Sequence, residues 1–139
     1  MVLSGKICLC YIGVIDLFSW IKDNNLSEKH FEKERQMWFK EVDKVPNFFS
    51  DTELLLVFQE VLLLKVSNED HASFLAKTYK LEYQAICQKL FSEKKNILLV
   101  SNRQWKDQKT EEEVIVLLKD EESIKNSLEK WLKKIIIHE

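Results

Sequence analysis

The clearest alternation of apolar and polar positions lies between residues 61 and 101, and it predicts a strand, a helix and a second strand. Val61–Val66 and Asn96–Ser101 are short apolar runs that end at polar residues, as strands commonly do. The segment between them repeats side chains at helical spacing, namely Phe74, Leu75, Thr78, Tyr79, Ile86 and Leu90, with the small Ala85. Either Ser67 or Asn68 can cap this helix by accepting a hydrogen bond from an unpaired backbone N–H group. A helix packed on two strands hides one face of each element, so we expect this unit to form the core.

An amphipathic helix is predicted upstream, from residue 28 to about residue 43, with Ser27 as its N-cap. Its apolar stripe consists of Phe31, Trp38, Val42 and Val45, and the opposite face is charged. A short helical turn is expected at residues 16–21. The apolar run at residues 54–58 fits a helix or a strand, and a cap at Ser50 or Asp51 favours a short buried helix.

The C-terminal part of the chain predicts a polar loop at residues 102–109, a β-branched third strand at 113–118 and a last helix that starts at Asp120 or Ser123. The apolar face of that helix would hold Ile124, Leu128, Trp131, Leu132 and Ile135. These elements together predict an α+β fold in which a three-stranded sheet is packed by helices.

The first 26 residues form an apolar N-terminal segment that we expect to pack on a single α+β domain spanning residues 27–139. Residues 7–15 are nearly all apolar, but the run is too short to span a bilayer, which takes about 20 residues. A misassigned start codon or a secretory signal would explain the run differently, although no cleavage site of the usual small-residue type follows it.

The composition narrows the classes of function. With 2 glycines and 1 proline in 139 residues, the chain has no glycine-rich phosphate loop and few of the turns that a sandwich or barrel needs. The formal net charge of -2 gives no overall attraction to nucleic acid, although a local basic patch remains compatible with it. The 3 cysteines provide no disulfide framework, which favours a reducing, cytoplasmic compartment.

No arrangement of residues in the sequence predicts catalysis. His71 and Cys87 are sixteen positions apart on the predicted central helix, which places them about 24 Å from each other, well beyond hydrogen-bond reach. The three histidines His30, His71 and His138 lack metal-ligand spacing. We therefore expect no enzyme activity, no cofactor and no bound metal.

The strand–turn–helix–strand unit resembles the N-terminal domain of the bacterial replication initiator DnaA and the C-terminal domain of the clamp-loader tau subunit. The matching residues are Leu63, Leu64, Lys65, Val66, Ser67, Asn68, Phe74, Leu75, Tyr79, Ile86, Leu90, Ile97, Leu98, Leu99 and Val100. The resemblance covers roughly forty residues and implies a KH-like arrangement, with Phe74 and Tyr79 at core positions. It also implies a non-enzymatic adaptor in DNA replication, with the replicative helicase or a polymerase subunit as protein partner. Asp70 stands where the initiator carries an aromatic residue that contacts the helicase, so this chain departs from the family there.

The candidate protein-binding surface is on the first long helix, where more aromatic residues occur than one core stripe needs. It comprises Phe31, Arg35, Trp38 and Phe39. An alternative is that Phe39 is simply buried by Phe48 and Phe49.

The alternative function is that of a single-stranded nucleic-acid-binding module. It would use a basic segment with one stacking aromatic residue, formed by Lys94, Lys95, Arg103, Trp105, Lys106 and Lys109. The competing interpretation of this segment is a solvated loop that Trp105 anchors.

Overall fold

A mixed β-sheet of five strands runs through the part of the chain that the computed structural model describes, which is residues 10–15, 17–44, 52–59, 61–109 and 112–117. The strand order is β1-β5-β4-β3-β2. The strands are β1 (Cys10–Ile15), β2 (Glu53–Phe58), β3 (Val61–Val66), β4 (Asn96–Ser101) and β5 (Glu112–Leu117). The helices are α1 (Leu17–Asp23), α2 (Glu32–Val42), α3 (Glu69–Thr78), α4 (Lys80–Phe91) and α5 (Asn102–Asp107), and a 3₁₀ turn (Glu28–Phe31) precedes α2. The fold is α+β.

The three predicted strands lie side by side in the sheet as β3, β4 and β5. The bounds of β3 and β4 are those predicted, and β5 begins one residue earlier than predicted. β3 and β4 are parallel, and the two helices between them form the crossover connection that parallel neighbours need. The other neighbouring pairs are antiparallel.

The sheet contains two strands in addition to the three that were predicted from the sequence. The run at residues 54–58, predicted to be a short helix, is part of strand β2, which pairs with β3 in an antiparallel hairpin. Both faces of this strand are covered at its centre, so its apolar residues do not alternate with polar ones and the period of two is lost. The other strand is β1, which belongs to the predicted N-terminal segment and pairs with β5 at the opposite edge.

The two faces of the sheet carry separate apolar cores, because successive side chains of a strand point to opposite faces. On β3, Leu62, Leu64 and Val66 pack with residues of α2, α3 and α4. Val61 and Leu63 pack on the opposite face with residues of α1. Helices therefore lie on both faces of the sheet.

The predicted central helix is two helices, α3 and α4, separated at Tyr79, whose φ and ψ of -117° and 23° are not helical. Asn68, and not Ser67, caps α3, since its side chain accepts a hydrogen bond from the backbone N–H of His71 over 2.8 Å. Phe74 was predicted to be a core residue, but 45% of its surface is exposed. The buried stripe of α3 instead contains Leu75 with the small residues beside it, and Phe74 falls on the neighbouring face of the helix.

The segment predicted to be a polar loop at residues 102–109 contains the helix α5. Ser101 and Gln104 form a capping box, in which each side chain bonds the backbone N–H group of the other residue. The Ser-x-x-Gln spacing was present in the sequence and is the pattern that predicts such a helix start. Ser27 was predicted to cap the long helix, but it caps the 3₁₀ turn that precedes α2, where its hydroxyl oxygen accepts from the backbone N–H of Lys29. The α-helix itself begins four residues later than predicted, at Glu32.

Several predictions fall outside the described residues. These are the contribution of Val45 to the helix stripe, the role of Phe48 and Phe49, and the last helix. Of the helices in the described ranges, none has the length and apolar character that crossing a bilayer would take.

Candidate functional site

The clearest candidate site is a groove between α2 and strand β2, at the edge of the sheet. The cavity there has a volume of about 710 Å³. Its lining residues are Arg35, Gln36, Trp38, Phe39 and Lys40 from α2, Thr52 directly before β2, and Glu53 and Leu54 at the start of β2. The groove thus has one helical wall and one strand wall.

Arg35 ties these two walls together. Its Nε donates a hydrogen bond to the carbonyl oxygen of Leu54 over 3.2 Å. Its terminal nitrogens donate to the carboxylate of Glu32 and to the carbonyl oxygen of Glu28. Only 18% of the Arg35 side chain is exposed, so this residue is a structural brace of the groove.

Trp38 forms the buried part of the groove and is 0% exposed. Its ring stacks on Tyr83 of α4 with 6.3 Å between ring centroids. The hydroxyl oxygens of Tyr83 and Thr52 lie 3.2 Å apart, and burial raises the pKa of Tyr83, so this phenol stays protonated. The indole Nε1 of Trp38 is buried and has no hydrogen-bond acceptor among the described residues.

Phe39 is the exposed apolar residue of the groove, with 60% of its surface in contact with solvent. Lys40 beside it is exposed and makes no ion pair within the described ranges, whereas Glu53 is paired with Lys65 across the β2–β3 hairpin at 3.2 Å. The groove therefore combines an exposed aromatic ring with one positive charge that no described carboxylate neutralises.

The four residues predicted to bind protein have different positions. Arg35, Trp38 and Phe39 all line the groove, but only Phe39 presents a large exposed apolar surface. Phe31 is half-buried and packs against both apolar cores at the edge of the sheet. Sequence reasoning missed the second wall, which comes from Thr52, Glu53 and Leu54. The available signal was the separation of two apolar runs by only two residues, which is typical of a β-hairpin.

The residues predicted to bind nucleic acid do not form one exposed basic surface. Lys95 is 4% exposed, and its ammonium group donates to the carbonyl oxygen of Gln59 and to the carboxylate of Glu93. Trp105 is half-buried, packs on Phe18 and donates from its indole nitrogen to Glu28 over 3.0 Å. Both residues therefore have structural roles.

Arg103 lies in a cluster of carboxylates. Its guanidinium group is 2.7 Å from Glu69, 2.8 Å from Glu112 and 3.6 Å from Asp107. Hydrogen bonds from Arg103 hold the pKa values of the Glu69 and Glu112 carboxyl groups below their usual range. Three acids around one guanidinium group leave no excess positive charge here to attract a phosphate.

Three exposed cations of the predicted set remain, which are Lys94, Lys106 and Lys109. Lys94 precedes β4, and the other two follow it. A strand of six residues is roughly 20 Å long, so Lys94 lies at the other end of the strand from Lys106 and Lys109.

Cys87 and His71 lie on different helices and have separate surroundings. Cys87 is fully buried in the core beneath α4, and burial raises the pKa of its thiol to about 12. The thiol is therefore protonated at neutral pH and is a poor nucleophile. The described residues contain no group of three or more histidine, cysteine or acidic side chains placed to hold a metal ion.

Comparison of the chain with protein-family models, with curated proteins and with solved structures gave no match.

Proposed function

We propose that this protein is a non-enzymatic interaction module whose protein partner docks in the groove between α2 and β2. The observation that carries this proposal is the exposed ring of Phe39 at the mouth of a 710 Å³ groove. A large aromatic side chain in water is unfavourable, and aromatic residues are enriched where proteins bind one another. Burial of Phe39 by a partner would remove that apolar surface from water.

The shape of the site supports a protein partner over a small molecule. Pockets for small ligands commonly bury most of the ligand within apolar walls. Here the main apolar contact, Phe39, is more than half exposed before binding, whereas the adjacent Trp38 is buried and stacks on Tyr83. An exposed aromatic side chain next to a buried, well-packed one is the arrangement expected for an anchor residue in a protein interface.

The resemblance to the replication initiator and tau-type domains supports a more specific proposal. The partner would then be a replicative helicase or a polymerase subunit, and the chain would be an adaptor linked to bacterial DNA replication. The support for this assignment, and for the KH-like arrangement, is the strand–turn–helix–strand pattern between β3 and β4. The initiator's helicase contact does not carry over, because Asp70 occupies that position.

Single-stranded nucleic-acid binding is not favoured by the described geometry. Lys95 is buried, and Trp105 donates its indole N–H to Glu28. Arg103 pairs with three carboxylates. The alternative requires salt-sensitive affinity for a labelled oligonucleotide that is lost in Trp105→Ala without loss of folding. Fluorescence anisotropy at low salt measures this directly.

The decisive experiment for the proposal is site-specific photo-crosslinking in the native host. A photoreactive phenylalanine analogue replaces Phe39 in one variant and Leu81 in a matched variant, since Leu81 is 73% exposed on α4 and does not line the groove. We expect a discrete crosslinked partner from position 39 and none of the same mass from position 81. A replication protein in that adduct would support the specific proposal. Absence of any adduct at position 39, or the same adduct at both positions, would contradict docking in this groove.

A further inference from the structure

We infer that β1 is the surface through which two copies of this chain associate: their β1 strands pair antiparallel about a two-fold axis at Tyr11, and the two sheets join into one. The inference does not rest on the proposed function, because the docking groove lies at the opposite edge of the sheet, beside β2. It follows from the backbone of β1, from the charges that flank this strand in the sequence, and from the protection of the other edge.

The two edges of the sheet differ in how well they are protected. At the β2 edge, the pairing register with β3 shifts between Leu54 and Leu56, and Arg35 bonds the carbonyl oxygen of Leu54. Such irregularities, and charged side chains laid over an edge, prevent an edge strand from pairing with another chain. The β2 edge is therefore closed to an added strand at this point.

The β1 edge lacks these protections. β1 pairs with β5 in one unbroken register over all six of its residues, and no strand of the described residues pairs with its outer side. Its sequence, Cys-Tyr-Ile-Gly-Val-Ile, contains no charged residue and no proline. A regular, uncharged edge strand is the kind of edge to which another strand adds through backbone hydrogen bonds.

The sequence around β1 identifies a second copy of the chain as the partner strand. Lys6 stands five positions before Tyr11 and Asp16 five positions after it, and every residue between Lys6 and Asp16 is uncharged. When two identical strands pair antiparallel about Tyr11, each Lys6 lies opposite the Asp16 of the other copy. Opposite charges directly across an antiparallel pair are favourable, whereas like charges are unfavourable. The same segment therefore complements itself at both ends, and the charges select this register.

Two-fold pairing also limits the assembly to two copies. Both β1 edges are used in the pair, so the outer edges of the joined sheet are the two β2 edges, which Arg35 protects. Pairing of β1 with the β2 strand of another copy would leave a free edge at each end and would continue into a fibre. The closed dimer is thus the assembly that this sheet favours.

Sedimentation equilibrium of the full chain over a wide range of concentrations tests the association. We expect a monomer–dimer equilibrium in which the heavier species has twice the chain mass of 16.6 kDa. A chain that stays monomeric at every concentration would show that no second copy occupies the β1 edge, and open oligomers larger than a dimer would show that the pairing is not closed. Either result overturns the inference.

Charge reversal tests the register. We expect Lys6→Asp and Asp16→Lys each to raise the Kd of the dimer about tenfold, because two ion pairs become two like-charge pairs. An equimolar mixture of these two variants should dimerise as the wild type does, since each aspartate then faces a lysine. The double variant Lys6→Asp/Asp16→Lys should also recover the wild-type Kd. Lys33→Glu, an exposed charge reversal on α2, is the control and should change the Kd less than twofold.

Recovery of the dimer separates a lost contact from a damaged fold, because the mixture and the double variant carry the same substitutions as the single variants. The inference is overturned if the single variants dimerise as tightly as the wild type, or if neither the mixture nor the double variant recovers the dimer. Crosslinking at position 39 does not depend on the β1 edge. A monomeric chain that still yields a crosslinked partner there removes only the dimer, and a dimer without such a partner removes only the proposed function.

Discussion

The Nε of Arg35 donates a hydrogen bond to the carbonyl oxygen of Leu54 over 3.2 Å, and this contact joins α2 to the edge strand β2. Edge strands expose unpaired backbone groups that invite aggregation, and proteins commonly cover or charge them. Arg35 does both here, since it bonds the carbonyl oxygen of Leu54 and its side chain, which is only 18% exposed, is bonded to Glu28 and Glu32 as well. The same residue therefore shapes the groove and protects the sheet.

We predict that Arg35→Ala destabilises the fold by about 2 kcal/mol, because it leaves a partly buried carbonyl oxygen without its charged donor. Lys33→Ala is the control on the same helix and should cost less than about 0.5 kcal/mol, since Lys33 is exposed. Urea unfolding followed by tryptophan fluorescence measures both changes. Equal stability of the two variants would show that the contact between α2 and the edge of β2 contributes nothing.

Neighbouring residues on α3 provide a second comparison. Leu75 is 0% exposed in the core beneath the helix, whereas Phe74 next to it is 45% exposed. We predict that Leu75→Ala costs about 2–5 kcal/mol through a lost contact and a new cavity, and that Phe74→Ala costs less than about 1 kcal/mol. Thermal unfolding would show the difference as a large drop in Tm for the first variant alone. A larger loss for Phe74→Ala would mean that the buried face of α3 is assigned incorrectly.

The cap of α3 can be tested with two adjacent substitutions. Asn68→Ala removes the side-chain oxygen that accepts from the N–H of His71, and we expect it to cost about 1 kcal/mol. Ser67→Ala should cost less than about 0.5 kcal/mol, because Ser67 is exposed and is not the capping residue. Chemical unfolding of the two variants decides between the caps that the sequence left open, and the reverse order of stabilities would identify Ser67 as the cap.

The strands β3 and β4 could be predicted from sequence because each is a six-residue apolar run with polar residues on both sides. Strand β2 was missed, since its apolar run has no alternation and both of its neighbouring capping residues suit a helix start, although the gap of only two residues before β3 is typical of a hairpin. Its identity depends on pairing with β3, which is a tertiary contact.

The candidate groove was predictable only in part. Helical spacing correctly placed Trp38 inward, and the adjacent Phe39 then lies about 100° away around the helix and faces solvent. The second wall, and the bond from Arg35 to Leu54, depend on the position of β2. The pairing of Arg103 with Glu69 could not be predicted either, because Glu69 lies 34 positions away from it in the sequence.

The cluster around Arg103 predicts a specific dependence of stability on pH. Arg103 holds the pKa values of Glu69 and Glu112 below the ordinary value of 4.5 in the folded protein. A carboxyl group whose pKa is depressed by folding stabilises the fold above its unfolded pKa, and that stabilisation is lost as the pH falls through the folded pKa. We therefore expect Arg103→Gln to reduce the free energy of unfolding at pH 7, and the difference from the wild type to shrink as the pH falls below the ordinary carboxyl value of 4.5.

Lys106→Gln is the control for this experiment, because Lys106 is exposed on the same helix and makes no ion pair among the described residues. Its effect on stability should be small and should change little with pH. Urea unfolding at a series of pH values, with salt held constant, gives the comparison for both variants. High salt should also reduce the effect of Arg103→Gln at pH 7, because half of the Arg103 side chain is exposed and its ion pairs are screened. A difference between wild type and Arg103→Gln that does not shrink as the pH falls would contradict the coupling, since protonation of Glu69 and Glu112 removes their ion pairs with Arg103.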